Sequence, residues 1–265
     1  CKHIEFIIIK ILDQNNIGYS RALVEGLKYI IPFSVDIVNM SLAVLCDEYK
    51  KEIEVLCSRI RDNGAIINVS VLNHASTSFP ASLDSTLGIR GAFNVDPYKI
   101  WYNAKNEIQC VSNLTPVLVS NIDCKKTFFG GNSKATALVS GLLAKAMYTM
   151  QIDGENALKS LVIKTDWCED DIQKEFTVQN KEKVGVELLA LSEQVCDFLK
   201  FNKKQRENIL ERTLFPPSIY IEKEQFICLI EYLSAFYHKE VILGQFEISN
   251  LSTISSIYRY FKGEK

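Results

Sequence analysis

The 265-residue sequence has no cysteines at CxxC spacing, no long apolar run and no excess of positive charge. Its eight cysteines, at 1, 46, 57, 110, 124, 168, 196 and 228, are too scattered for a compact zinc site and too sparse for a small secreted disulfide scaffold. Cys57, Cys196 and Cys228 fall on the apolar faces of predicted helices, so the set reads as reduced, buried thiols of a cytoplasmic protein. A formal net charge of −2 leaves no basic footprint for nucleic acid. The apolar runs fall far short of the roughly 20 residues that span a membrane, so no membrane partner is expected. No acidic calcium-binding loop, internal repeat or low-complexity tract is visible, and neither a metal nor another cofactor is predicted. The first residue is not methionine, and no leader is expected. Residue 1 is Cys and a strand-like run follows it closely, which reads as a chain starting inside a domain.

What is present is 47% hydrophobic and 23% charged, a globular composition with ample core for one large domain or two smaller ones. Residues 4–12, with Ile7, Ile8, Ile9 and Ile11, predict a strand covered on both faces. After a polar turn, Ser20 caps a helix bearing Leu23, Val24, Leu27 and Ile30 at helical spacing. Residues 34–43 predict a strand, 44–63 an amphipathic helix, and 65–72 a further strand. This alternation predicts an α/β fold with a parallel sheet. Shorter strands follow at 86–93, 100–102, 108–111, 117–122 and 126–129. Gly130 and Gly131 then end the β texture, and a run of small and apolar residues to Met150 predicts a buried central helix. Ser133 stands at its start, where free N–H groups and the positive dipole end stabilise an oxyanion; the plain alternative is an N-cap serine. Residues 151–182 are more polar and read as a linker with short helices at 157–164 and 170–176. Residues 183–265 read as a helical bundle, so the predicted domains are 1–150, the linker, and 183–265.

Three loops at predicted strand ends carry polar groups: beyond Asn39-Met40-Ser41-Leu42, at Asn73-His74, and at Gly131-Asn132-Ser133. At these loops the first 150 or so residues resemble the second half of a subtilisin-like serine peptidase (subtilase). Residues 36–43, DIVNMSLA, resemble the family's DVINMSLG, and 64–75 its GVVVVAAAGNEG. Phe79-Pro80-Ala81 and 86–92 resemble YPA and VIGVGA, Thr115-Pro116-Val117 stands where APGV is expected, and 131–141 resemble GTSMAAPHVAG. The resemblance implies a subtilisin-like parallel sheet with a central helix, its N-terminal part missing. It puts Ser133 on the nucleophile and Asn73 on the oxyanion-hole asparagine. Ser41, Leu42, Ala43, Val71 and Leu72 fall on the substrate cleft, and the implied substrate is a peptide or protein. Acyl transfer needs a base for the serine proton and donors for the tetrahedral oxyanion. The family's catalytic Asp and His lie upstream of the matching stretch, and His3, His74 and His238 do not fall on its histidine motif. The 265 residues alone are therefore expected to be inactive. Within the serine motif, Thr, Met, Pro and His become Asn132, Lys134, Ala137 and Leu138; Leu72 and Ala43 replace glycines.

Residues 225–261 resemble, more faintly, an acyl or peptidyl carrier protein, with Lys223 where that family carries its phosphopantetheine serine. A lysine cannot hold the phosphodiester, so no prosthetic group is expected. These departures leave a second reading open: an inactive pseudo-peptidase that binds a peptide, as would suit the biosynthesis of a modified peptide. A third reading has the helical bundle docking a partner protein.

Overall fold

The computed structural model describes residues 4–73, 75–93, 95–120, 126–175, 185–207, 209–215, 221–241 and 251–262. The readings placed on Cys1, His3, His74, Cys124, 176–182 and 242–250 fall outside these residues. The elements run α1 (Ser20–Ile30), β1 (Ile37–Met40), α2 (Lys50–Asp62), β2 (Ile66–Ser70), β3 (Leu87–Ala92), β4 (Ile100–Tyr102) and β5 (Cys110–Asn113). There follow β6 (Val117–Ser120), β7 (Lys126–Phe129), α3 (Gly131–Met150), α4 (Gly154–Leu161), β8 (Val162–Lys164) and α5 (Glu169–Glu175). The chain continues through α6 (Val186–Phe198), α7 (Lys203–Arg206), α8 (Lys223–Phe236) and α9 (Ile254–Lys262). They gather into two compact units: Cys1–Leu114 with Gly131–Cys168, and Thr115–Gly130 with Glu169–Lys265.

The first unit is built on a six-stranded sheet of order β1-β2-β3-β5-β4-β8. The pairs β1–β2, β2–β3, β3–β5 and β4–β8 are parallel, and only β4–β5 is antiparallel. Side chains alternate across a strand, and β2 shows the consequence. Ile67 and Val69 enter a core with Leu23, Val24 and Leu27 of α1 and Ile53, Cys57 and Ile60 of α2. Ile66 packs into a second core, formed by Leu87, Ile89, Ile100 and Cys110 with Ala135, Val139, Leu143 and Ala146 of α3. Helices thus cover both faces of the sheet, each fully buried aliphatic side chain contributing about 1.5–3 kcal/mol.

Several predicted boundaries move for local reasons. The segment 4–12 is no strand: it joins no ladder, and Phe6 and Ile8 are 77% and 86% exposed. Only Ile9 and Ile11 pack on the α1–α2 core, so one face is covered rather than two. The helix expected from residue 44 begins at Lys50, because Tyr49 holds a left-handed backbone (φ 69°) that no helix can run through. The helix expected at 157–164 starts earlier, where the Asp153 carboxylate accepts the Asn156 N–H at 2.8 Å, and gives way at Val162 to β8.

The second unit pairs the β6–β7 antiparallel hairpin with helices. Its buried side chains include Leu191 and Val195 of α6, Leu214, Phe215, Phe226, Leu229 and Leu233 of α8 and its approach, and Ile257 of α9. Glu187 ties α6 to α9, accepting from the Tyr258 hydroxyl at 2.8 Å and pairing with Lys262 at 3.1 Å. Cys228, expected to be buried, is exposed: the buried stripe of α8 runs through 226, 229, 230 and 233 and passes it by. Among the described residues no helix is long and apolar enough to cross a membrane.

Candidate active site

The chain enters α3 through Gly131, whose positive φ of 71° favours a residue without a Cβ. Space imposes the same requirement. A Cβ there would stand 3.0 Å from Oδ1 and 3.2 Å from Nδ2 of Asn73, so the glycine lies flat against that amide. The next residue fixes the amide's orientation. The Asn132 backbone N–H donates to Asn73 Oδ1 at 3.1 Å, which identifies the oxygen and leaves the NH2 of this exposed side chain out of that bond. Asn73 therefore caps the first turn of α3 from another loop, satisfying one of the four N–H groups that a helix leaves open.

The Asn132 side chain works in the opposite direction. Its Nδ2 donates to the Val71 carbonyl at 3.0 Å and its Oδ1 accepts the Gly91 N–H at 2.9 Å. One buried amide thus stitches the exit of β2 and the end of β3 to the start of α3. One residue on, Ser133 is half-buried, and its carbonyl accepts from Ser41 Oγ at 3.4 Å. Lys134 is buried, its ammonium donating to the Asn113 carbonyl at 3.1 Å and to Asn113 Oδ1 at 2.9 Å. Successive helical side chains do not face each other, and this ammonium is committed to the exit of β5. Lys134 thus anchors the helix start to the end of β5.

Two turns further on, Ser140 joins α3 to the facing strands. Its hydroxyl lies 2.9 Å from Asn39 Oδ1, 3.0 Å from the Thr136 carbonyl and 2.8 Å from Asn68 Nδ2. Asn39 and Asn68 are register partners on β1 and β2, so one hydroxyl fixes the helix against two strands at once.

Comparison with known proteins bears directly on this arrangement. Residues 1–190 match the Subtilase family. The chain belongs to that family. It is also similar to an intracellular serine protease of Paenibacillus polymyxa, 27% identical over 151 residues, which is 53% of this chain. The match spans 44% of that relative, so this chain covers less than half of its length. Among solved structures it is similar to sphericase, with a TM-score of 0.48 and 17% identity over 57% of each chain.

In this subtilase chain the residues singled out from sequence are not all placed alike. Asn73 and the start of α3 come together through Gly131 and Asn132, and Ser41 reaches the backbone of Ser133. Val71 is buried, and its carbonyl serves Asn132. Leu72 is 43% exposed, its N–H donating to Ser78 Oγ at 3.0 Å. Leu42 packs partly on the α1–α2 core, and Ala43 is half-buried with no described bond to the helix start. His238 lies in the second unit at a left-handed position after α8. Sequence reading missed the stitching role of Asn132 and the bridging role of Ser140. The signal for the first was an amide in place of the family's threonine.

The buried thiols of this subtilase are poor nucleophiles. Burial pushes the Cys57 thiol up to about 12 and raises Cys110 still further, and burial is also the first cause that raises Cys196. A thiol held protonated does not attack carbonyls at neutral pH. Among the described residues, no group of three or more His, Cys, Asp or Glu side chains is placed to hold a metal ion.

Proposed function

We propose that this chain supplies the nucleophile and the oxyanion donor of a subtilase-type serine endopeptidase. The observation that carries the reading is the Asn73 amide, its oxygen held by the Asn132 N–H at the helix turn that bears Ser133. A histidine outside this chain, oriented by an aspartate, takes the Ser133 proton as Oγ attacks a peptide carbonyl. The oxyanion receives the Asn73 NH2, aided by the positive end of α3. Collapse returns the proton to the leaving amine and leaves an acyl-enzyme, which water hydrolyses by the same route. The 265 residues alone are inactive on this reading, because an unactivated serine is a weak nucleophile. The relative described as an intracellular serine protease supports a peptide or protein substrate and a cytoplasmic location.

Fluorophosphonate labelling of the intact protein tests the proposal: Ser133→Ala abolishes labelling, and equal labelling of both forms refutes it. Asn73→Asp isolates the donor, since a carboxylate still accepts the Asn132 N–H and suits a helix N-terminus. It is expected to keep its fold while losing about 10²–10³-fold in rate, the size known for removing such a donor from a subtilisin.

A second reading, a pseudo-peptidase that binds a peptide in the making of a modified one, draws on Lys134 and Leu72 within the site. Saturable peptide binding by an intact protein that never labels would favour it.

A further inference from the structure

The two residues that flank Ser133 both depart from the family's serine motif, Asn132 standing for its threonine and Lys134 for its methionine. Both side chains are buried, and Lys134 brings a positive charge into the first turn of α3, at the positive end of the helix dipole. A buried amide or ammonium is costly unless its hydrogen bonds are made. Here they are made, to partners within the first unit. Asn132 Nδ2 donates to the Val71 carbonyl, one residue past β2, and its Oδ1 accepts the Gly91 N–H of β3. The Lys134 ammonium donates to the carbonyl and to Oδ1 of Asn113, the last residue of β5. Asn113 is locked in turn: its Nδ2 donates to the Phe93 carbonyl at 3.2 Å and the Val95 carbonyl at 2.7 Å, which fixes its oxygen toward the lysine.

The strand ends held in this way are neighbours. β2, β3 and β5 stand side by side in the sheet, with Gly91 beside Ser112 and Ala92 beside Asn113 in the parallel ladder. An α-helix turns by about 100° per residue, so side chains 132 and 134 leave α3 on opposite sides of Ser133. One holds β2 and β3, the other holds β5, and the residue between them takes its position from both. Substitutions that merely disabled a site would have no reason to bond three adjacent strand ends at 2.9–3.1 Å.

We propose that Asn132 and Lys134 are positioning residues for Ser133, the two arms of a clamp that fixes the first turn of α3 against the ends of β2, β3 and β5. Lys134 then has the opposite meaning from the one the pseudo-peptidase reading gives it: the departure from the family pattern holds the site in place. A lysine suits the task because its long stem carries a strong donor across to β5, where a methionine offers none. The activity consequence rests on the nucleophile reading above; the clamp itself does not.

Fluorophosphonate labelling of the intact protein over a range of reagent concentrations separates reagent binding from reaction at Ser133. Lys134→Met restores the family's residue and keeps an unbranched stem, but leaves both Asn113 oxygens without the ammonium. It is expected to lower the limiting rate by about ten- to a hundredfold with little change in the half-saturating concentration, the scale for a reacting atom displaced by up to about 1 Å. Asn132→Thr is expected to act in the same direction. Lys134→Gln keeps a shorter donor toward Asn113 and recovers part of the rate; it also takes the place of Lys134→Met should that variant not fold. Gly64→Ala, at a turn with nothing within 4 Å of an added Cβ, is expected to label at the wild-type rate. Labelling of Lys134→Met as fast as the unaltered protein, or faster, overturns the proposal, and so does equal slowing in Gly64→Ala. If the intact protein does not label at all, the nucleophile reading falls and amide hydrogen exchange over 132–138 decides the clamp. Exchange about tenfold faster in Lys134→Met upholds it, and unchanged exchange overturns it.

Discussion

Replacing Gly131 with alanine separates two costs that meet at one Cβ. The first is conformational: an L-residue at φ 71° loses about 1–2 kcal/mol relative to an ordinary backbone position. The second is steric. A methyl group 3.0 Å from Oδ1 and 3.2 Å from Nδ2 of Asn73 forces that amide outward by a few tenths of an ångström. Asn73 is exposed, so it can move, and the penalty is then the bond it leaves, the cap on the Asn132 N–H. A bond of that kind is worth about 0.5–1.5 kcal/mol net, so Gly131→Ala is expected to cost about 2–3 kcal/mol in all. Gly64 supplies the control, with φ 97° and nothing within 4 Å of a built Cβ: Gly64→Ala carries the backbone cost alone. Trp101 and Trp167 both lie in the first unit, so urea unfolding followed by tryptophan fluorescence reports on that unit. In a cycle with Asn73→Ala the two substitutions should be non-additive by at least about 0.5 kcal/mol, as expected for side chains in contact. Equal costs for Gly131→Ala and Gly64→Ala, together with an additive cycle, would refute the account of how Asn73 is held.

Two further outcomes follow from the same geometry. Asn132→Leu leaves the Gly91 N–H and the Val71 carbonyl buried without their partner, and each such loss costs about 1–3 kcal/mol, so the first unit's urea midpoint should fall well beyond the shift for Gly64→Ala. In the second unit, the Tyr258 hydroxyl first and Lys262 second hold the Glu187 carboxyl below its ordinary 4.5. A depressed carboxyl contributes stability that is present above about pH 4.5 and is lost as pH falls through its folded value. Thermal melts of the helical signal between about pH 3 and 6 should show this loss, and Glu187→Gln should flatten it.

Membership of the Subtilase family was readable because several motifs stand in register even where single residues change. The strand–helix alternation was readable because period-2 and period-3.6 patterns are local. The failures share one cause, dependence on a distant neighbour. A largely apolar stretch such as 4–12 reads as a buried strand, but a strand needs a ladder, and nothing local says whether one is offered. Cys228 sits one position off the α8 stripe, a difference that only the packing decides. Asn132 reads as a polar substitution in a motif; that it joins two strand ends depends on Val71 and Gly91, about 60 and 40 residues away. Phe128 reads as one more β-strand aromatic, and only its contacts with Phe215 and Phe226 show which core it serves.

The distribution of thiols gives the molecule a built-in clock. Among the described residues, Cys57 and Cys110 are enclosed in the first unit and Cys196 in the second, whereas Cys46, Cys168 and Cys228 are open to solvent. An alkylating reagent therefore takes the open three at once and must wait for the enclosed three until the unit around each of them opens. Timed by mass, the late additions would time the opening of each unit separately within one unmutated chain, and show whether the two let go together or in turn.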